Sequence, residues 1–443
     1  MAKELKEVWL IDYARTPFSR SRPGKPERDV FGEIRGDELT ATLLMKFFDQ
    51  KLNDKGITKE QIDQVIMACA LPVHENWTYG GRLPIFLADF PVDTPAYFCE
   101  RQCGSAGTAM SNGAMEIMTG NSKVVLAAGF EHMTRISMNI KYNKHIKPNL
   151  NMINKKSKWY RPKYDIMTTV NMIQTAQKLY EQETPTFTKE DLDELGVRSH
   201  NLTIESQEKN WFTSGVWGGE IIPIKGHAEG NVDEEKMINK DMAARKSDLE
   251  TVSQLPRLSK PFYLEKNIQG EDIGGRSGYK EREGTKKGVI TPGNASPLNA
   301  GATACVLMEA EEAKKRGLEP LAKIVSVGWG AVDPSVMGRG PVPATKMALE
   351  NAGMEADDID YWEINEAFCV VALNCMDKFD IPMEKVNVMG GSTAIGHPLG
   401  ATMIRLPGTL ARILRDKGAK YGLANACCGG GQGVAVLLEN PDA

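Results

Sequence analysis

The 443-residue chain contains two weak internal repeats. One pair is GITKEQID at 56–63 and GMEADDID at 353–360, and the other is GATACVLME at 301–309 and GQGVAVLLE at 431–439. Short apolar matches also arise by chance, but a true repeat implies two copies of one folding unit. The first copy holds many more residues between its two landmarks than the second. We therefore expect a duplicated fold with an insertion in its first half.

Apolar runs alternate with helical patterns along both flanks of the chain. Buried strands are predicted at 8–11, 65–67, 124–128, 324–327 and 434–438, and helices at 39–51, 104–118, 344–351, 367–378 and 402–417. Strands that alternate with helices imply α/β sheets covered on both faces. Residues 134–163 and 264–288 are rich in Lys, Asn and Gly and have little periodicity, which is typical of an insertion.

Composition excludes several classes of function. The chain has 54 Lys and Arg against 58 Asp and Glu, so its net charge of −4 does not favour nucleic acid or an anionic membrane as a partner. It has no apolar run of about 18 residues and no signal-peptide core at its start. Eight irregularly spaced cysteines favour free thiols over a disulfide framework. We expect a cytoplasmic protein.

The first candidate for chemistry is Cys103 in the stretch ERQCGSAGTA at 100–109. Small residues and a helical pattern follow it, which places Cys103 at the N-terminus of a helix. Free backbone N–H groups and the helix dipole favour a thiolate there. The alternative is a buried structural cysteine, the usual place of a free Cys.

The second candidate is His397 in the glycine-dense stretch GGSTAIGHPLGAT at 390–402. Glycines allow the backbone to approach a ligand closely, and a loop His suits a general base. A loop His that is merely solvated is the alternative interpretation.

The third stretch is NACCGGGQG at 425–433, in which Cys427 and Cys428 end a strand before a glycine turn. Backbone N–H groups in such a turn, including that of Gly429, can form an oxyanion hole. A zinc site is the rival interpretation, but zinc-binding cysteines are spaced by two to four residues. We expect no metal here. A phosphate loop would need a Lys-Ser or Lys-Thr pair after the glycines, which is absent.

The fourth stretch is WEINEAF at 362–368, where Asn365 ends an apolar run before a helical pattern. Asn is a favoured N-cap residue and can also hold a water molecule. Taken alone, a cap is the better interpretation of Asn365.

Together and in this order, the four stretches resemble the motifs of the thiolase family. CGS at 103–105 is similar to its nucleophile motif, NEAF at 365–368 and GHP at 396–398 to the motifs of those letters, and CCG at 427–429 to its C-x-G motif. ARTPF at 14–18 and GNAS at 293–296 are also typical of it. The resemblance extends from about residue 7 to residue 440.

The resemblance implies two similar α/β halves in a five-layered αβαβα core, with a loop domain inserted in the first half. We expect the N-terminal half at 1–128 and 289–312, the inserted substrate- and CoA-binding domain at 129–288, and the C-terminal half at 313–443. Family members are usually dimers or dimers of dimers, so we expect a homodimer or homotetramer.

The implied reaction is reversible CoA-dependent cleavage of a 3-oxoacyl-CoA, or Claisen condensation of two acetyl-CoA, through a thioester on Cys103. By resemblance, His397 takes the proton from Cys103. Cys427 protonates the acetyl-CoA carbanion or removes that proton in reverse. Because CoA and the acyl-CoAs are substrates, neither a cofactor nor a metal is expected.

The resemblance also implies two oxyanion holes. One would consist of His397 and a water molecule held by Asn365, and the other of the backbone N–H groups of Cys103 and Gly429. Ser296 would line the pantetheine arm of CoA.

Several positions depart from the family pattern. Glu100 stands where Asn is frequent, Cys428 replaces an aliphatic residue, and Ala300 replaces an Asp. A loop-domain signature is blurred at 167–172, so the preference for acyl-chain length does not carry over. Two alternatives remain: another condensing enzyme of this superfamily, against which NEAF and the two cysteines count, and a non-catalytic CoA-binding subunit of a multienzyme complex.

A basic segment at 141–163 holds eight Lys or Arg residues together with Tyr142, Trp159 and Tyr160. Such a cluster could contact CoA phosphates, a partner enzyme or a membrane surface. A charge run is often only a solvated face of the protein. We keep a partner enzyme as one interpretation of this segment.

Overall fold

The structure is a computed structural model, and it describes residues 5–139, 143–184, 186–261 and 288–443. The strands in these residues are β1 (Val8–Arg15), β2 (Ser19–Arg20), β3 (Gln64–Ala68), β4 (Ala96–Cys99), β5 (Val124–His132), β6 (Ile224–Ala228), β7 (Asn231–Ile238), β8 (Asn299–Glu309), β9 (Ala322–Ala331), β10 (Tyr361–Ile364), β11 (Tyr421–Cys428) and β12 (Gln432–Glu439). The α-helices are α1 (Gly36–Phe47), α2 (Arg82–Leu87), α3 (Ser105–Met118), α4 (Ile166–Thr169), α5 (Met172–Glu183), α6 (Lys189–Glu208), α7 (Trp211–Ser214), α8 (Leu249–Ser253), α9 (Ala310–Lys315), α10 (Pro341–Ala352), α11 (Cys369–Lys378), α12 (Ser392–Ile395) and α13 (Thr402–Lys417).

The large mixed sheet has two similar halves. Its strand order is β10-β11-β12-β9-β1-β8-β5-β3-β4, and β2 pairs with β8. In the first half β3 pairs parallel with both β4 and β5, and in the second half β10 pairs parallel with β11. The remaining long strands pair antiparallel. The halves meet where β1 pairs with β9 over only two residues, Trp9 and Leu10. The α/β class expected from the sequence is confirmed.

The internal repeats occupy equivalent places in the two halves. Asp63 precedes β3, and its Oδ2 accepts two backbone N–H groups at the start of β5, at 2.7 and 2.9 Å. Asp360 precedes β10, and its Oδ2 accepts two N–H groups at the start of β11, at 2.8 and 2.9 Å. The second repeat lies in β8 and β12, each of which is paired on both sides. The sequence similarity therefore reflects equivalent structure.

Helices cover both faces of the two half-sheets and separate them. α1 packs on the outer face of the first half, α10 on that of the second, and α3 and α13 pack together in the central layer. Small residues make this central layer possible, since a side chain at Gly107 would approach Met403 to 3.1 Å and one at Gly113 would approach Val125 to 3.0 Å. The core has the five layers that the family resemblance implies.

The insertion lies between β5 and β8, because the equivalent connection in the second half is the short turn from β11 to β12. It carries α4 to α8 and the hairpin of β6 and β7. A buried ion-pair network ties it to β1, since the Arg15 guanidinium lies 2.7 Å from Glu220 and 2.6 Å from Asp241. The domain boundaries given above stay predictions, and the segment 264–288 lies outside the described residues except for its last residue.

The predicted elements agree closely with those found. Each predicted strand overlaps β1, β3, β5, β9 or β12, and each predicted helix overlaps α1, α3, α10, α11 or α13. In the described ranges, no helix is both long and apolar enough to span a bilayer.

Candidate active site

Four loops from distant parts of the sequence meet beside the N-terminus of α3. They are residues 100–104 before α3, 365–368 after β10, 396–401 before α13 and 429–431 between β11 and β12. Close backbone contacts join them to the core. A Cβ atom on Gly129 of β5 would lie 2.1 Å from the Gly400 oxygen, and one on Gly429 would lie 3.1 Å from Gln102. Leu399 of the third loop clusters with Cys103, and Nδ2 of Asn365 lies 3.3 Å from Nε2 of His397, so the four motifs line one site.

Cys103 immediately precedes the N-cap residue of α3, as the sequence predicts, and only 8% of its surface is exposed. It belongs to a small apolar cluster with Ala70, Met133 and Leu399. The preceding residue, Gln102, has φ of +48°, in the left-handed region that residues other than glycine rarely adopt. Such strained backbone is often found at functional sites.

The Cys103 thiol is not activated by the helix terminus alone. Burial raises its pKa to about 12, the negative charges of Glu131 and Glu100 act in the same direction, and hydrogen bonds from the N–H groups of Gly429 and Cys103 itself oppose the shift. The sequence led us to expect a thiolate at Cys103 because of the helix dipole. Burial outweighs the dipole, so the resting form is the neutral thiol. The nucleophile needs a general base.

His397 is held in the tautomer that such a base needs. Its Nδ1 lies 2.7 Å from Oγ1 of Thr402, and the Thr402 hydroxyl lies 2.9 Å from the Pro398 carbonyl oxygen. If the hydroxyl donates its single proton to that carbonyl, it accepts Nδ1–H from His397, and Nε2 keeps its lone pair. Burial, reinforced by the charge of Arg405, lowers the pKa of His397 to about 3, so the ring is neutral near pH 7.

Asn365 lies at the end of β10 and does not cap a helix. The next helix, α11, begins at Cys369 with Phe368 as its N-cap, so the interpretation of Asn365 as a cap was wrong. Its Nδ2 lies 3.3 Å from Nε2 of His397, and its Oδ1 accepts the Ser392 hydroxyl at 2.7 Å. The amide of Asn365 therefore faces the reactive edge of the His397 ring.

Two buried thiols adjoin Cys103 from the end of β11. Burial raises the pKa of both Cys427 and Cys428 well above the usual value, and the nearby Cys103 adds to the shift. Successive strand residues point to opposite faces, so Cys427 packs in the core of the second half and Cys428 in the central layer. A Cβ atom on Gly104 would lie 2.6 Å from Sγ of Cys428. The sequence singled out only Cys427 for chemistry, and the structure brings both thiols to the site.

Gly429 opens the turn between β11 and β12. Its backbone N–H lies close enough to the Cys103 thiol to lower the pKa of that thiol, against the effect of burial. Gly430 and Gly431 have φ of +81° and +79°, which only glycine adopts without strain. The three glycines let the turn reach the loop that carries Cys103.

Ser296 lies at the edge of the site and is partly buried. Its hydroxyl donates to the Ala367 carbonyl oxygen at 3.0 Å, and its backbone N–H reaches the same oxygen at 3.1 Å. Ser296 thus joins the GNAS stretch to the NEAF stretch. Its expected contact with pantetheine stays a prediction.

Sequence reasoning missed Glu131, a fully buried carboxylate at the end of β5. It accepts hydrogen bonds from the N–H groups of Ala70 and Gly400, at 2.9 and 3.2 Å, and from Asn76 Nδ2 and the Cys69 thiol, both at 3.3 Å. Glu131 thereby links the loop after β3 to the loop that carries His397. The signal in the sequence was a charged residue near the end of an otherwise apolar strand.

Comparison with known proteins gives the family. Residues 8–262 match the thiolase N-terminal domain, and residues 318–440 match the thiolase C-terminal domain. The chain is 34% identical to the 3-ketoacyl-CoA thiolase of Marinobacter nauticus over 443 residues, which are 99% of this chain and all of the relative.

Solved structures agree with these matches. Human mitochondrial 3-ketoacyl-CoA thiolase superposes with a TM-score of 0.78 at 26% identity, and Bacillus anthracis acetyl-CoA acetyltransferase with 0.77 at 28% identity. Both comparisons cover 99% of this chain and all of the solved chain. The predicted fold and the predicted acyltransferase class are confirmed. With both halves of the chain matched in sequence and in structure, this protein belongs to the thiolase family.

Proposed function

We propose that this protein catalyses the thiolase reaction on 3-oxoacyl-CoA with Cys103 as nucleophile. The observation that carries this proposal is that two groups meet at the Cys103 thiol. One is the backbone N–H of Gly429, and the other is the loop of His397, whose ring is neutral and held in one tautomer. A buried thiol, a nearby base and backbone donors are the parts that covalent acyl transfer requires. The metal-free chemistry expected from the sequence is part of the same proposal.

The first half-reaction forms the acyl-enzyme. Nε2 of His397 takes the Cys103 proton, and the thiolate attacks the keto carbon of the 3-oxoacyl-CoA. The bond between the α and β carbons breaks, and the electron pair leaves on the α carbon of acetyl-CoA. A thiol proton from Cys427 neutralises this carbanion, so acetyl-CoA departs and the shortened acyl group remains on Cys103.

The second half-reaction returns the enzyme to its resting state. The thiol of free CoA gives its proton to the Cys427 thiolate and attacks the Cys103 thioester. The bond between the acyl carbon and Cys103 breaks, the shortened acyl-CoA is released, and the Cys103 thiolate takes its proton back from His397. Oxyanions develop in both half-reactions. The proposed donors are His397 with a water molecule held by Asn365 in one oxyanion hole, and the backbone N–H groups of Cys103 and Gly429 in the other. Loss of one such donor typically raises the barrier by about 2.7–4 kcal/mol.

Substrate range is a finer part of the proposal. The names of relatives and solved neighbours include both 3-ketoacyl-CoA thiolase and acetyl-CoA acetyltransferase. The relatives at 32–34% identity carry the first name, so we propose cleavage of 3-oxoacyl-CoAs longer than acetoacetyl-CoA.

The test is CoA-dependent thiolysis of acetoacetyl-CoA beside medium-chain, long-chain and branched 3-oxoacyl-CoAs, with Cys103→Ser as the control. We expect turnover of longer chains and none by the variant. Turnover of acetoacetyl-CoA alone would overturn the proposed chain length. CoA binding without turnover of any substrate would favour the alternative of a non-catalytic CoA-binding subunit.

We also propose that the protein is a homodimer or homotetramer. The strand β4 lies at one end of the sheet, and the chain leading to it exposes apolar side chains, with Tyr79 at 65% and Val92 at 82% exposure. A second copy placed on this edge would cover them. Analytical ultracentrifugation of the wild type and of Tyr79→Asp tests this, since a monomeric wild type would contradict it.

The basic segment is proposed as a contact for an acidic partner enzyme. Lys141 and Tyr142 lie outside the described residues. The other seven cations are exposed, and none of them forms an ion pair among the described residues: Lys144, Lys147, Lys155, Lys156, Lys158, Arg161 and Lys163. Salt-sensitive co-sedimentation with an acyl-CoA dehydrogenation or hydration enzyme, lost when these residues are changed to Glu, would support the contact. Equal binding by the variant would contradict it.

A cytoplasmic location is proposed from thiol chemistry. All eight cysteines are free, and seven of them are buried, which suits a reducing compartment. Cell fractionation tests this proposal.

A further inference from the structure

A continuous chain of hydrogen bonds runs from a buried ion pair to the edge of His397. It begins at Glu363 in β10 and Arg405 in α13, whose side chains are fully buried and whose Oε2 and Nη1 atoms are 2.6 Å apart. Nη2 of the same guanidinium lies 2.8 Å from Oγ of Ser392 in α12. The Ser392 hydroxyl in turn reaches Oδ1 of Asn365 at 2.7 Å.

The direction of this chain follows from the groups in it. A guanidinium can only donate hydrogen bonds, so Ser392 Oγ accepts from Arg405. The hydroxyl proton of Ser392 is then free for the acceptor Oδ1 of Asn365. Because Oδ1 is engaged in this way, the amide must turn its Nδ2–H group toward Nε2 of His397, 3.3 Å away.

The opposite amide orientation would place two acceptors face to face. Oδ1 of Asn365 would then oppose the lone pair on Nε2 of His397, and the hydroxyl proton of Ser392 would lose its acceptor. Ser392, Asn365 and His397 are all buried, so bulk water does not compensate for the wrong orientation. The hydrogen bond from Arg405 to Ser392 thereby selects one orientation of the Asn365 amide.

We infer that Ser392, held by Arg405, is a positioning residue that orients Asn365 for catalysis. The inference rests on the proposed function, in which His397 takes the proton of Cys103. Once Nε2 carries that proton, Nε2–H and Nδ2–H of Asn365 are two donors on adjacent groups. Neither can bond to the other, so Nε2–H can donate to the substrate oxygen that becomes an oxyanion, and Nδ2–H can hold the water molecule that donates to the same oxygen.

The test is the steady-state thiolysis kinetics of Ser392→Ala. We expect kcat to fall at least about tenfold, short of the 10²–10³-fold loss typical when an oxyanion donor is removed outright, while KM changes less than about threefold because substrate binding does not use Ser392. Thr393→Val is the matched control, since Thr393 is equally buried in α12 but its hydroxyl faces the Cys369 thiol at 3.6 Å. The control should keep the wild-type kcat.

A double-mutant cycle separates positioning from a general structural effect. In an Asn365→Ala background, Ser392→Ala should cause no further loss, because Ser392 acts only through that amide. Ser392→Thr keeps the hydroxyl and should retain most of the wild-type kcat. This variant also tests the inference if the alanine variant fails to fold.

Three results would overturn the inference. They are a wild-type kcat in Ser392→Ala, independent and additive losses in the double mutant, and a threonine variant as impaired as the alanine variant. A wild-type protein without thiolysis would instead contradict the proposed function, and the role of Ser392 with it.

Discussion

Oγ1 of Thr402 lies 2.7 Å from Nδ1 of His397, at the first turn of α13. The Pro398 carbonyl oxygen accepts the Thr402 hydroxyl at 2.9 Å, so the hydroxyl oxygen is free to accept Nδ1–H. This pairing leaves Nε2 of His397 as the basic nitrogen. The Thr402 hydroxyl, at the start of a buried helix, thus determines which ring nitrogen of the proposed base carries the proton.

Thr402→Val removes this acceptor while nearly preserving side-chain volume. We expect kcat/KM for thiolysis to fall roughly 10- to 100-fold, because a buried imidazole N–H left without a partner costs about 1–3 kcal/mol. Thr402→Ser should retain most of the activity. Equal activity in Thr402→Val and the wild type would show that the hydroxyl does not select the tautomer.

The adjacent thiols of Cys427 and Cys428 should differ in their roles. We expect Cys427→Ala to slow exchange of the α protons of acetyl-CoA with solvent deuterium by at least about 10², the range of general acid–base catalysis. Acylation of the enzyme by acetyl-CoA should persist in this variant. Cys428→Ala should chiefly affect stability, because its thiol packs beneath Gly104.

NMR of the exchanging α protons measures the difference between these two variants. Loss of exchange in Cys428→Ala, with Cys427→Ala unaffected, would assign the acid–base role to the other cysteine.

Glu131 should make stability depend on pH. Burial raises its pKa to about 7, from an ordinary value of 4.5, and its hydrogen-bond donors are uncharged. Between these two values the folded protein holds a proton that the unfolded chain releases. This contribution to stability therefore decreases as pH rises from about 4.5 to 7, and then levels off.

Urea unfolding of the wild type and Glu131→Gln at pH 5, 6, 7 and 8 measures this contribution. The free energy of unfolding of the variant, relative to the wild type, should increase as pH rises toward 7. Parallel curves for the two proteins would contradict a raised pKa of Glu131.

Much of the fold could be predicted from sequence because its signals are local. The apolar run in β12 and the helical pattern of α13 are set by residues close in the chain, and α13 was predicted at its observed bounds. The GHP and C-x-G stretches were recognisable for the same reason. Each concentrates glycines beside one reactive side chain.

The supporting residues could not be predicted, because their roles depend on partners distant in sequence. In the sequence, Arg405 is an ordinary residue of a helical pattern. Only the structure shows that its guanidinium contacts Glu363 and Ser392. Burial is likewise a property of the folded chain. The helix terminus suggested a thiolate at Cys103, and only the packing around that thiol reveals why its pKa is raised instead.

The central claim is that acyl transfer passes through Cys103, and trapping the intermediate tests it most directly. The enzyme is mixed with a 3-oxoacyl-CoA without free CoA, quenched in acid, digested and analysed by mass spectrometry. We predict an acyl group on the peptide that contains Cys103, removable by added CoA and absent from Cys103→Ser. An acyl group on Cys427 or Cys428 instead, or continued turnover by Cys103→Ser, would contradict the account.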